Sequence, residues 1–161
     1  MKRLILVRHA KSDWSLGMAD HDRPLNVRGR ASAAAIGRWL REKNLRPDQV
    51  LCSTATRTRE TLDLLDLDAP ARFEDRLYHA APEVMLSSLQ TARGDVVLML
   101  GHNPGIAEFA ARLVARPPGH PRFAAYPTGA TLVAQLDIDS WAEARMGQAE
   151  ALEFIVPRDL I

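Results

Sequence analysis

A chain of 161 residues, 47% hydrophobic and 25% charged, has the material for one soluble domain with a sizeable core. A net charge of +1 gives no support for a nucleic-acid or membrane-surface binder, and no apolar run approaches the length of a membrane span. The single cysteine, Cys52, excludes an internal disulfide framework, and the four apolar residues after Met1-Lys2-Arg3 are too few for a signal peptide, so a cytoplasmic protein is expected.

The first element is a short apolar run, Leu4 to Val7, ending in Arg8-His9. It is apolar on both faces, as a central parallel strand is when helices cover both sides of the sheet. A polar loop over residues 10–25 follows, long for a compact α/β domain and therefore of functional interest. Asn26 is a suitable N-cap for a helix to about Lys43, in which Ala34, Ile36, Trp39 and Leu40 keep helical spacing. Gln49 to Ser53 predicts a second strand. Ser53 or Thr54 is expected to cap a helix over residues 55–67, with Leu62 and Leu65 facing inward. A short third strand over Ala71–Glu74 and a helix opening at Pro82 come next. Asp95 to Leu100 is the strongest strand signal. After it, Asn103 is expected as N-cap and Pro104 as the first residue of a helix reaching about Val114. A Pro- and Gly-containing loop spans residues 117–129, and strands over Thr131–Leu136 and Ala151–Val156 close the sheet, with a short polar piece around Trp141 between them. Alternating strands and helices without a linker or repeat predict one α/β domain, 1–161: a three-layer sandwich with a mostly parallel sheet and helices on both faces.

Ligands of open α/β sheets bind beyond the carboxyl ends of the strands. The three best strands end in Arg8-His9, in Ser53 with Arg57 one helical turn on, and in His102. Parallel strands bring these ends to one edge. Two arginine forks and two helix N-termini make a site for a phosphate dianion. A histidine held neutral by neighbouring cations can attack phosphorus and form a covalent phosphoryl intermediate.

These residues fall into motifs. Arg8-His9-Ala10, Ser53-Thr54-Ala55-Thr56-Arg57 and Gly101-His102 stand in order at strand ends, and nearly the whole chain resembles the histidine phosphatase (phosphoglycerate-mutase-like) superfamily. Arg8-His9-Ala10-Lys11-Ser12, Asp22-Arg23-Pro24-Leu25-Asn26, Gly101-His102-Asn103-Pro104-Gly105 and Pro127-Thr128-Gly129-Ala130 look like the short bacterial SixA-type phosphohistidine phosphatases. The resemblance implies that His9 is the phosphorylated nucleophile and that Arg8, Arg57 and His102, together with Ser12, hold the phosphoryl group, without metal or other cofactor. Ala10 replaces the family's usual glycine, a change expected to be tolerated at the start of a loop. Larger members place a glutamate general acid shortly after the third strand. Here Leu77-Tyr78 is followed by His79, and the next carboxylate is Glu83; these two are the candidate acids. A phosphorus–nitrogen bond needs less acid assistance than a phosphate ester, so the weak acid position points to phosphohistidine in a protein. The short chain, without insertions to roof the site, points the same way.

Two other readings use the same residues: a phosphatase for small phosphomonoesters such as sugar phosphates, and a non-catalytic phosphate or phosphopeptide module. Retention of both histidines and both arginines argues against the second. Cys52 and Arg57 are separated by four residues where a cysteine phosphatase needs five, and Cys52 lies within the strand. No P-loop motif is present. His21, His79 and His120 lack zinc-site spacing, and Trp14, Trp39 and Trp141 form no basic–aromatic stripe for nucleic acid. No pattern in the sequence specifies an oligomeric state.

Overall fold

The computed structural model describes residues 1–161. In chain order it contains β1 (Lys2–Arg8), α1 (Val27–Glu42), β2 (Gln49–Ser53), α2 (Thr56–Leu65), β3 (Ala71–Glu74), α3 (Pro82–Leu89), β4 (Val96–Gly101), α4 (Gly105–Leu113), β5 (Thr131–Leu136) and β6 (Glu150–Ile155). The sheet order is β3-β2-β4-β1-β5-β6. Strands β3, β2, β4 and β1 run parallel, whereas β5 and β6 are antiparallel additions beside β1. The expected mostly parallel α/β sandwich is thus the observed one.

The period of two along a strand builds the three layers. In β1, Leu4 and Leu6 enter one core with Met99 of β4 and with Met85, Leu89, Ile106 and Phe109 of α3 and α4. Ile5 and Val7 enter the opposite core with Leu98 and Leu100, Val50 and Cys52, and Ile36, Leu40 and Leu65 of α1 and α2. Both faces of β1 are sealed, which explains its continuous apolar run. No helix is long and apolar enough to cross a membrane.

Three local expectations change, each because a side chain has a tertiary use. Asn26 does cap α1, accepting the Gly29 N–H at 2.8 Å. Neither Ser53 nor Thr54 is the N-cap of α2, however; that position is Ala55, because Ser53 Oγ is engaged with His102 Nε2 at 2.8 Å. Asn103 is not the N-cap of α4, which begins at Gly105 rather than Pro104. Its side chain instead donates to the carbonyls of Ala125 and Tyr126 and ties down the 117–129 loop. The piece around Trp141 is a 3₁₀ turn, and Trp141 itself is buried, its indole N–H donating to the Gly94 carbonyl at 2.7 Å.

Candidate active site

Strand register brings the polar strand ends together. Arg8 of β1 lies opposite Gly101 of β4, so His9 and His102 follow side by side with ring centroids 5.3 Å apart. Cys52 is opposite Leu100, which puts Ser53 and the first turn of α2 on the other side of His102. The cleft formed there has a volume of about 250 Å³. Arg8, His9, Ser12, Arg57, His102 and His79 all line it. Of the residues expected to bind phosphate or supply a proton, only Glu83 is absent from it. Glu83 lies in the first turn of α3 and pairs with Arg112 of α4 at 2.6 Å, on the exposed outer side of the helix layer.

The two histidines are built differently. His9 is buried, and its Nδ1–H donates to the Ala10 carbonyl at 2.7 Å. That bond leaves Nε2 without a proton, and Arg57 Nε–H donates to it at 3.4 Å. Burial, assisted by the charges of Arg8, Arg57 and Arg23, pushes the imidazole pKa down to about 3. At neutral pH the ring is therefore uncharged, with its lone pair on Nε2. His102 is pushed down to about 2, again chiefly by burial, with His9 and Arg57 adding repulsion. Ser53 Oγ accepts the Ala55 N–H, and with its hydroxyl proton assigned to His102 Nε2 the ring proton is left on Nδ1.

That Nδ1 has no partner. Buried polar groups are nearly always hydrogen-bonded, so exceptions mark places where a ligand completes the set. The buried side-chain atoms without a partner in this protein are Arg8 Nε, His102 Nδ1 and Asn103 Oδ1. All three residues line the cleft. Arg8 is held by Nη1–H donation to the Tyr126 carbonyl at 3.1 Å, and Tyr126 is pinned to β1 through its hydroxyl and the Leu6 carbonyl at 2.6 Å. The 117–129 loop thus fixes an arginine of the site. Ala10, in the place of the family glycine, is buried against Leu25 and Ala33 and donates its N–H to Thr61 Oγ1, so its methyl has a packed location.

The central residue that sequence reasoning passed over is Asp20. It sits in a 3₁₀ turn, Asp20–Asp22, within the 10–25 loop. Arg57 donates Nη1–H to its carbonyl at 2.7 Å and Nη2–H to its carboxylate at 3.0 Å. Arg23 reaches the other carboxylate oxygen at 3.0 Å, His79 Nε2 lies at 3.0 Å, and the Tyr78 hydroxyl also donates to it. The hydrogen bond from Tyr78 first, then those from His79, Arg23 and Arg57, hold the Asp20 carboxyl well below the usual carboxylate range. It is the only acidic residue lining the cleft, and it is ionised at neutral pH. Arg23 further bonds Ser12 and stacks over the exposed Trp14 ring at 3.5 Å, joining the loop to the mouth of the site.

A neutral buried imidazole flanked by two arginines, a second histidine with a free N–H and an ionised organising carboxylate can hold a tetrahedral dianion and attack it. Relatives of the chain are recognisable by sequence and by fold. The model for the histidine phosphatase superfamily, branch 1, matches residues 4–80. The structure assigned as phosphohistidine phosphatase SixA from Nakamurella multipartitia is 30% identical, with 97% of this chain and 96% of that one covered and a TM-score of 0.87. The chain belongs to the histidine phosphatase superfamily. An uncharacterised protein of Mycobacterium tuberculosis is 39% identical over 159 residues, which span 94% of this chain and all of that one. The protein histidine phosphatase SixA solved with tungstate shares the fold at a TM-score of 0.79 and 22% identity, covering 99% of both chains.

Proposed function

We propose that this histidine phosphatase superfamily member removes the phosphoryl group from phosphohistidine in a protein, through a covalent intermediate on His9. His9 Nε2 attacks phosphorus, and the bond from phosphorus to the substrate imidazole breaks. The departing ring, protonated by solvent on its other nitrogen, leaves as neutral imidazole and needs no acid from the protein. Water then attacks phospho-His9, releases inorganic phosphate and restores the neutral ring. Arg8, Arg57 and His102 Nδ1–H hold the three equatorial oxygens, whose charge must be stabilised throughout. Ser12, fixed by Arg23, lines the same cleft and binds at its edge.

The observation that carries the choice of substrate is the state of Asp20. The cleft's one carboxyl is held ionised by its hydrogen bonds and cannot serve as a protonated acid at neutral pH. An alkoxide leaving group needs such an acid, which is worth about 10²–10⁴ in rate. Imidazole departs with far less help. Exposed Trp14, Leu16 and Met18 stand in the loop that forms the mouth of the cleft, a surface suited to a macromolecule. Small phosphomonoesters are the alternative substrate class on the same chemistry.

A substrate panel separates the two. Hydrolysis of a phosphohistidine protein should exceed that of alkyl phosphates by at least 10² in kcat/KM, with p-nitrophenyl phosphate, a good leaving group, in between. In His79→Gln the loss should be larger with alkyl phosphates than with p-nitrophenyl phosphate. A sugar phosphate turned over faster than the phosphohistidine protein would assign the enzyme to small phosphomonoesters.

A further inference from the structure

Beside the active-site cleft lies a larger one, of about 610 Å³, sharing Lys11 and Thr128 with it. Its walls come from the start of α1, the 117–129 loop and the turn after β6. Lys11, Arg28, Arg122 and Arg158 line it, all exposed and none engaged in a side-chain hydrogen bond or ion pair. Its one acidic residue, Asp159, is committed: it pairs with His120 Nε2 at 2.9 Å and accepts the Val156 N–H at 2.9 Å. His120 is fixed in turn by the Arg122 N–H on its Nδ1 and by edge contact with Phe154. The cleft is therefore a braced wall carrying four uncompensated cations, in a protein whose net charge is only +1. Cations concentrated in a concave, partly desolvated surface attract anions far more effectively than the same charges scattered. Nothing in the phosphoryl chemistry uses Arg28, Arg122 or Arg158.

We propose that this cleft receives an acidic segment of the phosphoprotein substrate, next to the phosphohistidine in the active site. The proposal rests on the protein-phosphohistidine reading above and gives it a specificity: glutamate and aspartate side chains near the modified histidine. The space is more than twice that of the phosphoryl cleft and adjoins it directly, so a chain with its phosphohistidine at His9 can lay neighbouring residues along Lys11 into the basic wall. The attraction is of the screened surface kind and weakens with salt.

Two synthetic peptides test it, each with one central phosphohistidine, flanked by glutamates in one and by serines in the other. The wild-type enzyme should favour the acidic peptide by about tenfold in kcat/KM at low salt, the sum of several exposed charge pairs. In Arg28→Ser/Arg122→Ser/Arg158→Ser the preference should fall towards one, with the serine peptide hydrolysed as before. A preference that survives in the triple variant, or equal rates in the wild type, overturns the proposal. If neither peptide is hydrolysed, the phosphohistidine reading has failed, and direct binding decides the cleft separately. Fluorescein-labelled octaglutamate, followed by anisotropy, should bind wild type and lose that binding in the triple variant. No binding, or tighter binding of an oligothymidylate of equal length, overturns the assignment to an acidic protein segment.

Discussion

His9 and His102 are almost completely withdrawn from water, and their low pKa values follow from that before any neighbouring charge is counted. Both have folded-state values below the ordinary 6.5, near 3 and 2. Between those values and 6.5 the unfolded chain binds protons that the folded chain refuses, so stability must fall as pH drops through this window. The slope is about 1.4 kcal/mol per pH unit for each histidine. Denaturant melts from pH 7 to pH 4.5 should show this loss in the wild type, and His9→Gln/His102→Gln should flatten it. Arg57 is the other residue whose role is fixed by its contacts, since its fork joins His9 to Asp20. Arg57→Ala should lower kcat/KM by about 10²–10³. Arg57→Lys should recover only part of it, because a lysine has one point charge and no fork. Both are read by steady-state kinetics on any hydrolysed phosphate. Arg8, His9 and His102 were legible because each stands at a strand end, and Arg57, one turn into α2, because it completes the Ser53–Arg57 motif. Asp20 was not. Of its four partners only Arg23 is local; Arg57, Tyr78 and His79 lie 37, 58 and 59 residues away, and Asp20 itself sits in a loop without periodicity, so no spacing rule connects them. The only available signal was an acid within an unusually long polar loop.

At the level of elements, the inner strands were legible because two-sided burial writes an unbroken apolar run, and β2 and β5 have the bounds expected from sequence, as does the exposed edge strand β3. Helix starts were less so. Ser53 and Asn103 are good caps by type, but the site and the 117–129 loop recruit them, and tertiary use overrides local preference. The antiparallel direction of β5 and β6 was also beyond the pattern, since a strand's direction depends on how its connection runs, which an apolar run does not record. The contrast between His79 and Glu83 is of the same kind. Four positions apart, they are separated by the start of α3 at Pro82, which turns Glu83 outward to Arg112 while His79 stays in the cleft. The first residue of α4 holds this corner together. A Cβ on Gly105 would lie 1.8 Å from the Ala80 carbonyl oxygen, directly beside His79. Gly105→Ala should therefore destabilise by about 1–3 kcal/mol despite alanine's better helix propensity. Thermal unfolding should show a Tm several degrees lower. An unchanged or raised Tm would mean that the two segments separate freely.

For the molecule as a whole, a six-stranded sheet sealed on both faces carries a cleft at the carboxyl edge of its parallel strands, and two loops, 10–25 and 117–129, finish it. The first brings Asp20, Arg23 and Trp14; the second anchors Arg8 through Tyr126 and forms a wall of the neighbouring basic cleft. Rigid strands set His9 and the loops set its surroundings, so differences among members of this superfamily are expected in the loops more than in the sheet. The central claim is that phosphate passes through His9. Rapid quench with ³²P-labelled substrate tests it most directly. The account predicts label on the protein within a single turnover, labile to acid, stable to base, mapping to His9 and lost together with turnover in His9→Ala. Turnover that continues in His9→Ala with no label trapped in the wild type would contradict it.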